Sequence, residues 1–327
     1  MKKSAENNDT LLVLDNQHKA IPGNPSTAKS SKINLRTEAI PESLRVLTPL
    51  QWNFWKHNGY VVIKNAVPRK QAIKTANFLW EFDEKDPNDP ETWYAPPRAT
   101  MKMKELAGTG MVEVYNNQML WNNRQSQKVY DAFVDIWGTE KLWVTIDRAN
   151  LNFPIRAGHE YKGFIHWDYD PDTKPQNVQG ILALSDQTDK NMGGFQCIPW
   201  LYRNYDKWKL TQPKDRNRFQ PDITDLKDKL VKVALKAGDL LIFNSMEPHG
   251  IRPNKTRSKV RIAQYISMMP AEEHNKALKD WRINSWKNRI APEGYAFPGD
   301  PRKREQTHYN TAKLSPLGKQ LLGLKKW

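Results

Sequence analysis

The sequence predicts a mainly β domain of jelly-roll type with helices packed in front of it, on three observations. From Lys141 onward, short apolar runs recur between turn residues, the texture of an antiparallel barrel or jelly roll. Ahead of that point the apolar residues recur at helical spacing. The 327 residues contain no internal repeat of the ~20–50-residue kind, so one large β-rich domain accounts for the length better than two small ones.

Residues 1–40 are rich in Asn, Ser, Lys and Pro without sustained periodicity. They read as a flexible N-terminal extension ahead of a single domain over residues 41–327. In Thr48-Pro49-Leu50-Gln51, Thr48 suits the N-cap, Pro49 the first helical position, and Gln51 completes a capping box. This first helix carries Trp52 and Trp55 and stops at Gly59. Residues 60–64 follow as a strand with Val61 and Ile63 on one face. A second helix runs from Pro68 to about Phe82 with Ile73, Ala76, Leu79 and Trp80 on one stripe. Residues 83–112 are broken by Asp86-Pro87-Asn88-Asp89-Pro90, Pro96-Pro97 and Gly108-Thr109-Gly110, and a long loop here reads as a lid. Residues 126–137 are helical. The expected strands are 143–146, 151–153, 164–169, 180–185, 195–198, 230–235, 240–243 and 260–268.

Charge and composition exclude several classes. The chain carries 51 Lys+Arg against 36 Asp+Glu, a formal charge of +15. Basic surface attracts phosphate, but acidic residues are interleaved with the basic ones throughout. A nucleic-acid partner is therefore not expected, and a solvated surface or small acidic molecules account for the balance. No apolar run approaches the ~18 residues of a membrane span, and residues 11–14 are too short for a secretory leader, so the expected location is cytoplasmic. Cys197, the one cysteine, excludes an internal disulfide and a multi-cysteine metal site.

The sharpest cluster is Gly163-Phe164-Ile165-His166-Trp167-Asp168. On a strand, side chains two apart share a face, so His166 and Asp168 point the same way. An imidazole and a carboxylate are two of the three ligands of a facial triad, which binds Fe(II) and leaves three positions open. Alone, the pair is better explained by a half-buried strand end with a solvated carboxylate, since about half a His-x-Asp pair is expected by chance. Glu247-Pro248-His249-Gly250 supplies a third ligand, His249, after the turn and apolar strand of residues 236–243. His18, His57, His159, His274 and His308 fall in the extension, a helix end, a loop and polar C-terminal segments. Arg261, in the alternating strand Val260-Arg261-Ile262-Ala263-Gln264-Tyr265-Ile266, would point inward, where a guanidinium needs an anion. Its planar fork suits a carboxylate. Arg252 and Arg257 flank the turn Pro253-Asn254-Lys255-Thr256 and read as solvated. A calcium loop beginning at Asp168-x-Asp170-x-Asp172 fails, because Thr173 and Gln179 stand where Gly and Glu are required.

With these residues in place, the chain from about Leu47 resembles the phytanoyl-CoA dioxygenase family of Fe(II)/2-oxoglutarate oxygenases. The resemblance rests on Leu47-Thr48-Pro49-Leu50-Gln51 through Asn58-Gly59-Tyr60-Val61-Val62-Ile63, on His166-Trp167-Asp168, and on Gly193-Gly194-Phe195-Gln196-Cys197-Ile198-Pro199. Ala237-Gly238-Asp239 through His249-Gly250, and Leu314-Ser315-Pro316-Leu317-Gly318-Lys319 through Leu322-Gly323-Leu324, complete it. It implies a double-stranded β-helix, a cupin-like jelly roll, with iron held by His166, Asp168 and His249. It further implies that Arg261 grips the distal carboxylate of 2-oxoglutarate, and Asn152 matches a polar position that contacts the co-substrate in some relatives. Two departures stand out. Trp200-Leu201-Tyr202 replaces the Gly-Ser-His usual after Pro199, and a long charged insert, residues 203–229, follows; both lie where relatives vary substrate choice.

The implied reaction consumes O2 and 2-oxoglutarate, releases succinate and CO2, and hydroxylates an unactivated C–H of a small metabolite. Related halogenases carry a small residue in place of the acid, so an intact Asp168 implies oxygenation; desaturation or ring formation would begin from the same hydrogen abstraction. A nucleic-acid demethylase of the same chemistry is the rival enzyme, and a jelly-roll binding protein without metal is the non-enzymatic alternative.

Overall fold

α1 (Pro49–Asn58) begins where its capping box places it. Thr48 Oγ1 accepts from the Gln51 N–H at 3.2 Å, and Gln51 Oε1 accepts from the Thr48 N–H at 2.9 Å. It ends at Gly59, whose φ of 72° is the left-handed cap glycine adopts without strain. The computed structural model describes residues 24–94, 110–293 and 296–327; the centre of the expected lid, residues 95–109, lies outside them.

The strands, in chain order, are β1 (Tyr60–Ile63), β2 (Met111–Val112), β3 (Leu142–Val144), β4 (Ala149–Asn152), β5 (Val178–Ala183), β6 (Gly194–Cys197), β7 (Val231–Lys232), β8 (Leu240–Asn244), β9 (His249–Arg252), β10 (Arg261–Tyr265) and β11 (Met268–Pro270). Six of them form one antiparallel sheet in the order β1-β8-β5-β10-β4-β2, three form a second in the order β7-β6-β9, and β11 pairs with β3. Alternation sorts the large sheet into two faces. Val178, Leu182, Leu240, Ile242 and Ile262 join the core beneath the helices, while Ile181, Ala183, Leu241, Phe243 and Ala263 meet Phe195 and Cys197 of the small sheet. Burial on both faces is why β8 reads Leu-Leu-Ile-Phe without polar alternation.

α2 (Arg69–Phe82), α3 (Gln118–Arg124) and α4 (Gln127–Trp137) cover the outer face, and α5 (Pro199–Trp208) follows β6. The body is thus sheet-rich with flanking helices. α6 (Lys276–Asn288), α7 (Arg304–His308) and α8 (Pro316–Leu322) close the chain. No helix among the described residues is long and apolar enough to cross a membrane.

Several expectations need correction. Ile73 is 37% exposed, so the buried stripe of α2 runs through Ala72, Ala76, Leu79 and Trp80 instead. The expected strand at 260–268 is two strands, because the chain leaves one sheet after Tyr265 and joins β3 at Met268. The insert of 203–229 starts inside α5, to which Trp200-Leu201-Tyr202 also belong, and continues as two short 3-10 helices. From Asn24, the stretch expected as an extension lies on the body. Ser26 and Leu35 are buried, and the Leu35 N–H donates to Gln176 Oε1 at 2.8 Å.

Candidate metal centre

Residues 164–169 are not the regular strand the alternation suggested. They touch the small sheet through one isolated bridge, His166 against His249. The His166 N–H donates to the His249 carbonyl at 2.8 Å and the His249 N–H returns to the His166 carbonyl at 3.0 Å. His249 is the first residue of β9. The residue after it explains the close approach: a Cβ at Gly250 would sit 1.9 Å from the Phe164 carbonyl oxygen.

This reciprocal pair sets the two imidazoles side by side, 4.7 Å between ring centroids. The ligand atoms of His166, Asp168 and His249 all lie within 4.8 Å of one another. His166 Nε2 is 3.2 Å from Asp168 Oδ1, and His249 Nε2 is 3.3 Å from Asp168 Oδ2. His249 Nδ1 lies 3.0 Å from the Glu247 carbonyl, to which a ring nitrogen can only donate. In the neutral ring the lone pair therefore sits on Nε2, aimed at a carboxylate that is itself only an acceptor. Two acceptors face each other at 3.3 Å, an arrangement that a cation between them satisfies. Phe195 and Phe243 hold the His249 ring from behind, at 5.8 and 4.4 Å.

Charge supports the same reading. Burial raises the Asp168 carboxyl, but the hydrogen bonds and charge of His166 and His249, when those rings hold the protons a metal would replace, outweigh it and keep the group well below the ordinary carboxylate range. Burial also lowers the His166 pKa, favouring the neutral ring a metal requires. Two imidazoles and one carboxylate, with the side chains of Asp168 29% and His166 24% exposed, fit Fe(II) with positions left open. Gln179 Nε2 also donates to Asp168 Oδ2. Sequence reasoning missed this amide, although its place on the inward parity of β5, with Ile181 and Ala183, was the available signal.

Arg261 is fully buried on the inward face of β10, with Asn152 of β4 as its register partner. Its Nη1 donates to Asn150 Oδ1 at 2.9 Å and its Nε to Gln187 Oε1 at 3.3 Å, both neutral amides, while Nη2 has no partner. Asn152 Oδ1 is likewise buried and unbonded. Sequence reasoning found neither Asn150 nor Gln187. Arg252, expected at the surface, is 4% exposed and donates to the carbonyls of Met192 at 3.0 Å and Phe195 at 2.7 Å, tying β9 to the start of β6. Burial, with the Arg261 charge adding, lowers its pKa to about 10.

A family model described as phytanoyl-CoA dioxygenase matches residues 55–263. The chain is 26% identical over 277 residues to Ava biosynthesis cluster protein O of Aspergillus versicolor, covering 76% of this chain and 84% of that one. Among solved structures it resembles the GlcNAc Inducible Gene 2 protein of Candida albicans, with a TM-score of 0.61, 14% identity, 86% of this chain and 77% of that chain. A putative oxidoreductase of Salmonella typhimurium LT2 gives a TM-score of 0.60 at 18% identity, over 85% of this chain and 83% of that one. These structural likenesses concern the fold.

Proposed function

The chain belongs to the phytanoyl-CoA dioxygenase family, and from that premise we propose that it is an Fe(II)- and 2-oxoglutarate-dependent dioxygenase hydroxylating an unactivated C–H of a small metabolite. The observation that carries the reading is the convergence of His166, Asp168 and His249, with an imidazole lone pair facing a carboxylate across 3.3 Å. With Fe(II), 2-oxoglutarate and O2 bound, the centre supplies the oxidant, and succinate and CO2 leave as oxygen enters the substrate.

The protein's part is positional. The Glu247 carbonyl fixes the His249 tautomer so that Nε2 is the ligating nitrogen. Gln179 donates to Asp168 Oδ2 and so fixes the rotation of the carboxylate toward the two imidazoles. Arg261 offers a buried, unbonded Nη2 to the distal carboxylate of 2-oxoglutarate, and Asn152 stands opposite it in register. On this reading the two facing sheets are the halves of a double-stranded β-helix within a single domain over residues 41–327. The A. versicolor relative is named as a biosynthetic cluster protein, which supports a small-molecule substrate.

The test is an anaerobic titration with Fe(II) and 2-oxoglutarate, following the weak visible charge-transfer band of the chelate. The band should form in the native protein, vanish in His166→Ala and weaken in Arg261→Ala. Folded, metal-loaded protein without a band would refute the proposal.

A further inference from the structure

Between the two ligands of the dyad stands a residue whose bonds all run away from the metal. Trp167 is 2% exposed, and its side chain lies on the opposite side from His166 and Asp168, in the cluster of Ile198, Leu201, Tyr205 and Met246. Four contacts fix it. Its indole Nε1–H donates to the Met246 carbonyl at 3.0 Å, three residues before His249. Its backbone N–H donates to the Phe219 carbonyl at 2.8 Å, inside the charged insert. Its ring meets Tyr205 edge-on at 5.4 Å and Trp208 at 6.2 Å, both on α5.

The insert is itself held against the segment that follows the dyad. Asp172 accepts from Tyr205 Oη at 2.9 Å, from Lys209 at 3.4 Å and from Arg216 at 3.3 Å, and Arg218 reaches Asp170 at 3.2 Å. The Arg216 guanidinium in turn donates to Tyr205 Oη at 2.9 Å. The dyad segment, lacking a ladder of its own beyond one bridge, therefore gets its support from α5 and the insert.

We propose that Trp167, backed by α5 and the insert, is a positioning residue for the metal centre. Its indole N–H holds the dyad at a set distance from the turn that delivers His249, so the three ligands stay together before metal arrives. The insert is then part of the site's frame, beyond any role in substrate choice. The same geometry gives the pattern of loss. The His166–His249 bridge joins the two segments in front, and the Trp167–Met246 bond joins them behind. Removing the rear bond lets Asp168 swing while the bridge survives.

This rests on the triad being the metal site, so the experiment separates the two. Co(II) is titrated into native protein and into Trp167→Phe under anaerobic conditions, reading the d–d absorption for affinity, with the melting temperature measured alongside. Trp143→Phe is the control, since that indole is equally buried but its Nε1 has no hydrogen-bond partner. Native protein should bind, Trp167→Phe should bind on the order of tenfold more weakly, and Trp143→Phe should match native affinity whatever its melting temperature. Absence of binding by native protein would remove the metal reading itself. Native binding with equal affinity in Trp167→Phe, or an equal loss in Trp143→Phe, would overturn the positioning role alone. Should Trp167→Phe not fold, Trp208→Leu, at the half-buried end of α5, replaces it: a lowered affinity supports the brace and an unchanged one overturns it.

Discussion

Arg261 shows at the scale of one residue how a site can work against the stability of the protein that carries it. A fully buried guanidinium with two amide partners and a bare Nη2 has left water without gaining an anion. Such a charge costs free energy until a carboxylate arrives. Arg261→Met should therefore raise the melting temperature of the ligand-free protein, by the equivalent of about 1–4 kcal/mol. It should also abolish the further rise that 2-oxoglutarate gives the native protein. A native protein indifferent to 2-oxoglutarate, or a variant less stable than native, would show that Asn150 and Gln187 satisfy the charge without a ligand. The parity of residues 260–266 predicted the inward arginine. The amides that hold it were not legible, because Asn150 and Gln187 reach Arg261 across 111 and 74 residues.

At the scale of elements, legibility follows the range of the forces. α1 was readable to the residue because its cap, its proline and its terminal glycine act within one turn. β9 was missed, since its first residue becomes strand only by pairing with β6 and with the dyad segment. α7, five residues long, was missed for the same reason. It is placed by Glu305, which accepts the N–H groups of Tyr115 and Asn116, both at 2.7 Å. Burial carries the Glu305 pKa from an ordinary 4.5 up to about 7, the backbone donors only partly opposing it. Below about pH 4.5 the carboxyl is protonated in folded and unfolded chains alike. As pH rises to about 7 the unfolded chain ionises first, and about 3 kcal/mol of stability is lost. Glu305→Gln stays neutral, so its deficit relative to native protein, largest near pH 4.5, should shrink by that amount by pH 7. Denaturant midpoints at the two pH values would reveal it, and a constant gap would mean that Glu305 is ionised in the folded protein.

The whole molecule is tied together at a point no local pattern announces. Arg282, on α6, is fully buried and has no carboxylate among its hydrogen-bond partners. It donates instead to the carbonyls of Leu322 at 2.9 Å and of Leu321 and Val144 at 2.8 Å, and to that of Ser26. It thus joins the N-terminal stretch, β3 and the end of α8, the Ser26 bond spanning 256 residues. The carbonyls closing α8 present the negative end of aligned peptide dipoles, which suits a cation there. Burial still lowers its pKa to about 9, so the charge is poorly solvated. Two outcomes compete. If desolvation dominates, Arg282→Met would match native stability. The acceptors decide against that, because methionine would leave four carbonyls without a donor in a place water does not reach, at roughly 1 kcal/mol or more each. Arg282→Met should therefore lower stability by roughly 3 kcal/mol or more, shifting the denaturant midpoint. Co(II) affinity, measured well below that midpoint, should be unchanged, since none of these carbonyls touches the triad. A variant as stable as native protein would show that the four bonds only offset the burial of the charge, and that packing alone holds the N-terminal stretch to the body.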